Sequence, residues 1–233
     1  MVSRLALLEV PIPPPASIAD LLARAELLGG LCLGELAERL GQPVPPDLRR
    51  AKGFVGALVE RALGASSGSR AQPDFPELGV ELKTLPVDAV GHCLESTFVC
   101  TAEVGDLAGV EWAESRLWAK VRCVLWVPVE ATRSLPVAER RIGGPFLWRP
   151  SAEEEALLRA DWELLVSLLA RGQHGSLSGH LGQHLQLRPK AAKGSSRRRA
   201  FDEDGARSLE QPKGFYLRAR FTEDLLRRHL LGS

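Results

Sequence analysis

The chain has 233 residues, of which 45% are hydrophobic and 25% are charged, a composition that is ordinary for a globular protein. No apolar run approaches the ~20 residues of a membrane-spanning helix, which argues against an integral membrane protein. Glu9 and several prolines follow the short apolar N-terminal stretch, unlike a secretory signal. The four cysteines form no C-x-x-C pair, so we expect free thiols and a cytoplasmic protein.

The net charge of +1 excludes a polycation, but the charge is spread unevenly. Residues 188–228 carry a net charge of +6, and the other residues sum to −5. A basic segment of this kind can form one wall of a cleft that binds an anionic partner, or it can be a solvated tail. Charge alone leaves both interpretations open.

The first third of the chain has helical patterns. Residues 1–16 are rich in proline and predict an irregular arm. Ser17 is a suitable cap for the amphipathic segment that follows, and two further helical patterns cover about residues 33–40 and 53–63. Each pattern ends near a glycine, the residue that most readily terminates a helix.

Short runs rich in Val, Phe and Trp follow, bounded by Gly or Pro, and predict strands: GVELKTLPV, STFVCTA, RCVLWVPV and GPFLWRP. Ser151 and Glu154 have capping-box spacing and predict a helix that continues to about Arg171. Two further strand patterns, HLQLRPK and GFYLRARF, flank AAKGSSRRRAFDEDGARSLE, which has the composition of a loop. A last helix, with Thr222 as its cap, closes a fold that we predict to be α/β, a mixed central β-sheet flanked by helices.

The segment DFPELGVELK brings together residue types that suit phosphodiester hydrolysis. On a strand, Glu81 and Lys83 face the same side, and a turn containing proline can return Asp74 to the same place. Two carboxylates suit Mg²⁺, which prefers oxygen ligands, and a lysine can orient the attacking water or offset transition-state charge. The alternative is a turn aspartate beside the solvent face of a strand, and the short motif alone does not decide between them.

Two more charged residues have sequence positions from which they could join this group. Glu60 lies on an apolar helix, where a carboxylate is costly unless it is paired or bound to metal, although it could also be an exposed residue paired with Arg61 or Arg24. Lys120 precedes a strand and could reach the same sheet edge, or it could be a surface lysine at the strand entrance.

Longer strings in the chain resemble a known family. KGFVGALVERALGASSGSRAQPDFPELGVELKTLPVD, LESTFVC, VLWVPVE, RPKAA and GFYLRARF occur in the order found in the MutH family of mismatch-repair endonucleases. The resemblance extends from about residue 17 to residue 230. It implies a restriction-endonuclease-like fold with a PD-(D/E)xK site, in which Pro73 and Asp74 supply the "PD".

The resemblance also implies roles for individual residues. Those implied to be catalytic are Asp74, Glu81, Lys83, Glu60 and Lys120, and the metal ligands among them are Asp74, Glu81 and Glu60. Those implied to bind DNA are Lys52, Arg188, Pro189, Lys190 and Tyr216, with Tyr216 sensing adenine methylation. The metal is expected to be Mg²⁺, with Mn²⁺ or Ca²⁺ able to substitute as ligand.

In function, the resemblance implies nicking of the unmethylated strand at hemimethylated d(GATC) in double-stranded DNA, stimulated by MutL after MutS detects a mismatch. We expect a monomer, because one active site cuts one strand. We also expect a single endonuclease domain over residues 1–233, with residues 17–64 and 150–233 flanking a catalytic sheet at 65–149 around a DNA cleft.

Two alternatives remain open at this point: a GATC-specific restriction endonuclease, and a methylation-sensing DNA-binding module without catalysis. The Arg197–Arg199 cluster predicts either phosphate contacts or a disordered loop. We do not expect His174, His180 and His184 to form a zinc site, because no cysteine lies near them. MutL could dock on the helix after Ser151 or on the C-terminal helix with Arg227 and Arg228.

Overall fold

The computed structural model describes residues 12–67, 72–102, 109–171, 173, 180–189, 198–201, 207–210 and 213–231. The α-helices in these ranges are α1 (Ile18–Glu26), α2 (Leu33–Arg39), α3 (Phe54–Leu63), α4 (Arg116–Val121), α5 (Ala152–Ala170) and α6 (Ala219–Leu231). The strands are β1 (Glu81–Val87), β2 (Thr97–Ala102), β3 (Val124–Glu130), β4 (Phe146–Trp148), β5 (Leu185–Pro189), β6 (Arg198–Phe201), β7 (Arg207–Glu210) and β8 (Lys213–Leu217). None of these helices combines the length and apolar character that a membrane crossing requires.

The predicted helix starts at Ser17 and Ser151 are confirmed by their capping bonds. The Ser17 hydroxyl accepts from the backbone N–H of Asp20 at the start of α1. At the start of α5, the Ser151 hydroxyl accepts from the Glu154 N–H, and the Glu154 carboxylate accepts from the Ser151 N–H. These bonds satisfy backbone donors that have no partner within the helix.

The described strands pair in three groups, and the predicted α/β class with a mixed sheet is confirmed. β1 pairs in parallel with β3, and β3 pairs antiparallel with β4. β8 lies between β2 and β5 and is antiparallel to both. β6 and β7 form a separate two-stranded ladder. The predicted strands are thus divided among separate sheets, because β8 pairs with β2 and β5 and not with β1, β3 or β4.

The chain divides into two compact units. The first comprises Met1–Leu94 and Cys123–Trp148, and the second comprises Glu95–Arg122 and Arg149–Ser233. In the first unit, the apolar faces of α1, α2 and α3 share one core with β1 and β3, which includes fully buried Leu21, Leu63 and Leu125. Such burial is the main stabilising term for these short helices. The domain boundaries expected from the sequence remain a prediction.

The second unit is organised around tryptophans and α5. The ring of Trp112 lies 5.2 Å from that of Trp118 and 5.7 Å from that of Trp162 on α5, measured between ring centroids. The Trp112 indole N–H donates to the Glu155 carboxylate at 3.1 Å, which satisfies the polar end of this buried side chain. α5 also packs against β5, and this contact links the cluster to the antiparallel sheet.

Two element predictions are wrong. The segment between β5 and β8 was expected to be a loop, yet its residues 198–201 and 207–210 pair as strands β6 and β7. The C-terminal helix begins at Ala219, so Thr222 is not its cap. The Thr222 hydroxyl donates back to the Ala219 carbonyl at 3.0 Å, a bond that threonine makes inside a helix. The short helix α4, which carries Lys120, was not predicted.

Gly64 ends α3 in a left-handed conformation where space is also limited. Its φ is +75°, and a Cβ there would lie 2.4 Å from the carbonyl oxygen of Pro13. Gly41 has a similar φ of +61° but open space around it. The arm before α1 therefore packs closely on the end of the helix that carries Glu60.

We predict that Gly64→Ala destabilises the protein more than Gly41→Ala. Left-handed backbone costs alanine ~1–2 kcal/mol at either position, and the clash with Pro13 adds to that cost at Gly64 alone. Urea denaturation of both variants and the wild type measures the difference. Equal losses in the free energy of unfolding would contradict the close packing of the arm.

Candidate active site

A tight turn returns the chain so that Asp74 reaches β1. Phe75 and Val80 exchange two backbone hydrogen bonds, with N–O distances of 2.9 and 3.2 Å, around the 3₁₀ turn at Pro76–Leu78. Asp74 is 5% exposed, and its carboxylate accepts from the backbone N–H of Leu82 at 2.9 Å. The turn predicted from the sequence therefore does bring Asp74 beside the strand.

Glu81 and Lys83 project to the same side of β1, as their spacing predicted. The Lys83 ammonium nitrogen lies 2.5 Å from the nearer Glu81 carboxylate oxygen. The Glu81 side chain is 1% exposed and the Lys83 side chain is 19% exposed. The parallel ladder pairs Glu81 with Val124 and continues to the end of β1, so backbone bonding keeps this side of the strand in place.

Burial beside a second acid changes the ionisation of Asp74. Burial is the largest effect, and together with the charge of Glu81 it raises the Asp74 pKa to about 6. The Leu82 N–H and the Lys83 ammonium oppose this rise, and Glu60 adds a smaller increase. The charges that act on Asp74 come from two acids, Glu81 and Glu60, and one lysine, Lys83, an imbalance that favours binding of an additional cation.

The donor set suits a hard divalent cation. Asp74 and Glu81 present carboxylate oxygens, which Mg²⁺ prefers, and Mg²⁺ commonly takes one or two carboxylates and keeps its other ligands as water. Glu60 is half-buried on α3, and α3 packs against β1. Among the described residues, no three His, Cys, Asp or Glu side chains converge as a metal-binding group. Glu60 as a ligand therefore remains a prediction.

The other predicted lysines occupy different surroundings. Lys120 is 7% exposed and lies in the last turn of α4, within the second unit. Lys52 is exposed just before α3, in the first unit. Lys190 lies outside the described residues, as do Arg197 and His174.

Arg188 and Tyr216 meet in the antiparallel sheet of the second unit. Arg188 and Pro189 are exposed at the end of β5, and Tyr216 lies on the neighbouring strand β8. The Arg188 guanidinium carbon stands 5.6 Å from the Tyr216 ring centroid. Burial raises the Tyr216 pKa above its ordinary value, partly offset by the charge of Arg188. A tyrosine phenol is protonated at neutral pH in any case, so it can donate a hydrogen bond.

Sequence reasoning missed two residues around this pair. Phe98 on β2 stands opposite Tyr216 in the register, with ring centroids 5.3 Å apart and the planes at 65°. Asp161 on α5 is buried and accepts backbone hydrogen bonds from the residues that begin β5. The motif PDFPELGVELK offered no signal for either, because strand register and helix packing bring them into place.

An α/β fold in which buried Asp74 lies beside Glu81 and Lys83 of β1 has the arrangement of acids and lysine expected for a nuclease of the PD-(D/E)xK class. The family model described as "DNA mismatch repair enzyme MutH" matches residues 63–161. The chain is 50% identical to the DNA mismatch repair protein MutH of Serratia proteamaculans over 93% of this chain and 95% of that protein. It is also 50% identical to the Citrobacter koseri protein of that name, over 94% of this chain and 96% of that protein. The chain therefore belongs to the MutH family of DNA mismatch repair enzymes.

We predict that Asp74→Asn stabilises the metal-free protein at pH 8. The folded state raises the Asp74 pKa from 3.8 to about 6, so the folded protein retains this proton while the unfolded chain releases it. Stability is therefore lost as pH rises from about 4 to about 6, and the loss is complete above that range. Removing the charge therefore raises the free energy of unfolding by up to about 3 kcal/mol at pH 8 and by almost nothing below pH 4.

Urea denaturation with a chelator present, at pH 4 and pH 8, measures this gain. Glu77→Gln is the matched control, because Glu77 is exposed in the same turn. A gain for Asp74→Asn that is equal at both pH values would contradict the raised pKa.

Proposed function

We propose that this enzyme is a Mg²⁺-dependent endonuclease that nicks the unmethylated strand at hemimethylated d(GATC) sites during methyl-directed mismatch repair. The observation that carries the proposal is the convergence of Asp74, Glu81 and Lys83 at one buried place on β1. Membership of a DNA mismatch repair family supports DNA as the substrate and repair as the context.

In this proposal, Asp74 and two residues of β1 divide the chemical work. Asp74 and Glu81 hold Mg²⁺, or Mn²⁺ or Ca²⁺ in its place as ligand. When bound, Mg²⁺ polarises the scissile phosphate and makes a water more acidic. Lys83 is a hydrogen-bond donor at the site and orients the attacking water or offsets charge on the pentavalent transition state. Glu60 and Lys120 are assigned to the same step by the family resemblance.

DNA reading is assigned to the second unit. Arg188 has a planar donor group that can bond both acceptors of guanine in the major groove, and its contact with Tyr216 limits where that group can go. Tyr216 would detect adenine methylation through contact with the base edge. Pro189 and Lys190 would complete the reading segment, and Lys52 would contact a phosphate.

The proposal extends to partners and assembly. One site of this kind in each chain accounts for a nick, so the enzyme acts as a monomer in the cytoplasm, stimulated by MutL after MutS has found a mismatch. The first turn of α5 is acidic, and its Glu154 pairs with Arg228 on α6. A MutL surface on either helix would therefore have to accommodate this ion pair.

Nicking of supercoiled plasmids tests the proposal. We expect conversion to open circles that requires Mg²⁺ and GATC, with hemimethylated sites cut on the unmethylated strand and fully methylated sites resistant. Linear product without an open-circle intermediate would indicate a restriction endonuclease. Methylation-dependent binding without any cleavage would indicate a binding module.

Lys83→Ala is expected to lower the nicking rate about 100-fold or more while DNA affinity changes little. The reason is that a preorganised donor acts on charge that develops mainly in the transition state. Single-turnover nicking and a binding titration in Ca²⁺ separate the two effects. Arg61→Ala removes an exposed positive charge on α3 and serves as the control. Loss of binding that equals the loss of rate would contradict the role of Lys83.

Arg188→Ala is expected to lower nicking at GATC about 10- to 100-fold, the cost of losing one good base contact, and to reduce discrimination against a changed guanine. Arg159→Ala, which removes an exposed arginine from α5 in the same unit, is the control. Nicking rates on the GATC duplex and on a duplex with the guanine replaced measure both effects. An equal loss on the two duplexes would mean that Arg188 contacts only the phosphate backbone.

A further inference from the structure

The turn that begins β5 is held by a buried carboxylate from another element. Asp161 on α5 is 8% exposed. Its carboxylate accepts from the backbone N–H groups of Gln183 at 2.9 Å, His184 at 2.7 Å and Leu185 at 2.9 Å. Hydrogen bonds to a buried charged acceptor are among the stronger ones in proteins, so these three successive donors are fixed in direction.

A second side chain binds the same turn through its carbonyl groups. Arg218, which follows β8, donates to the carbonyl oxygens of Leu181 at 3.0 Å and Gly182 at 3.1 Å. Gly182 has a φ of +79°, and a Cβ there would lie 2.0 Å from the Leu185 carbonyl oxygen. Within residues 181–185, an acid on α5 therefore binds the last three N–H groups and an arginine after β8 binds the first two carbonyls, and Gly182 has no room for a side chain.

This turn determines where β5 begins. β5 has five residues, and Leu185, whose N–H is bound by Asp161, is the first of them. Leu185 pairs with Leu217, and Arg188 pairs with Gly214 near the other end of the ladder. In a strand, a slip of one residue moves every side chain to the opposite face. Anchoring Leu185 therefore sets the face and the position of Arg188, three residues later.

The middle of β5 is held as well, whereas its end is open. Gln186 is 6% exposed, and its amide donates to the Ser96 hydroxyl at 2.7 Å. Arg188 and Pro189 are exposed. An exposed end on a strand with a rigid start suits base reading, because a misplaced donor loses its bidentate geometry on guanine.

We propose that Asp161 is a positioning residue for DNA sequence reading: it fixes the start of β5 and thereby the placement of Arg188, without touching DNA itself. This inference rests on the proposed function. Asp161 acts on the choice of sequence and not on general DNA affinity, because phosphate contacts tolerate small shifts that base contacts do not.

The test compares Asp161→Asn with Glu163→Gln, a control that neutralises an exposed acid on α5. The asparagine keeps the shape but accepts through one oxygen only and places an NH₂ against backbone donors. We expect faster hydrogen exchange at the amides of Gln183, His184 and Leu185. We also expect the ratio of nicking rates, GATC over a duplex with one base pair changed, to fall about tenfold. Affinity for DNA without GATC should stay unchanged. If the ratio fell because the protein unfolds, that affinity would fall as well.

If the wild type discriminates between the two duplexes and Asp161→Asn has the same ratio of nicking rates, the role of Asp161 is overturned and the proposed function stays intact. A wild type that nicks both duplexes equally overturns the proposed function itself. Should Asp161→Asn fail to fold, Arg218→Gln loosens the same turn from its carbonyl side. A lowered ratio in that folded variant supports the anchoring of β5, and an unchanged ratio overturns it.

Discussion

The first unit holds the buried carboxylate of Asp74 beside that of Glu81. Two neighbouring carboxylates out of water repel each other and lose hydration, a cost that the raised pKa of Asp74 reflects. The fold tolerates this cost because the Leu82 N–H and the Lys83 ammonium bond the two acids. The parallel pairing of β1 with β3 and the Phe75–Val80 turn prevent the acids from moving apart. A cation that binds there relieves a strain that the fold maintains.

Each unit contains a buried aspartate that accepts hydrogen bonds from the backbone N–H groups of a strand. In the first unit, the carboxylate of Asp74 accepts a backbone N–H from β1, so this acid holds the neighbouring strand in place. In the second unit, the carboxylate of Asp161 accepts three backbone N–H groups at the start of β5 and stays away from the exposed end. A buried acid that bonds strand amides fixes backbone position in both cases, because each charged acceptor restricts the direction of its donors.

Family membership and geometry support different parts of the conclusion. The family model matches residues 63–161, a range that contains Asp74, Glu81, Lys83 and Lys120 but neither Arg188 nor Tyr216. The relatives from Serratia and Citrobacter match over more than nine-tenths of the chain, which also covers strands β5 and β8. The contact of Arg188 with Tyr216 then supplies what identity does not, a physical reason why these two side chains would act together.

Local sequence was sufficient for features that depend on spacing along the chain. The side shared by Glu81 and Lys83 follows from the two-residue period of a strand, and the capped starts at Ser17 and Ser151 follow from side chains that bond a backbone three residues away. These interactions form within a few residues, so tertiary contacts had little to change. The long strings shared with a known family extended this reading to the site as a whole.

Features that join distant segments were decided only by the tertiary structure. The composition of residues 198–201 and 207–210 predicted a loop, but the two segments pair with each other as strands. Thr222 had the chemistry of a helix cap, but α6 begins at Ala219 and leaves Thr222 inside the helix. Residue spacing and the family resemblance were enough to identify which acids and which lysine form the candidate site. The burial of Asp74, the pairing of Phe98 with Tyr216 and the anchoring of β5 by Asp161 appear only in the folded chain. Phe98 and Tyr216 are 118 residues apart, and Asp161 and Leu185 are 24 apart, so strand register and helix packing are needed to bring them together.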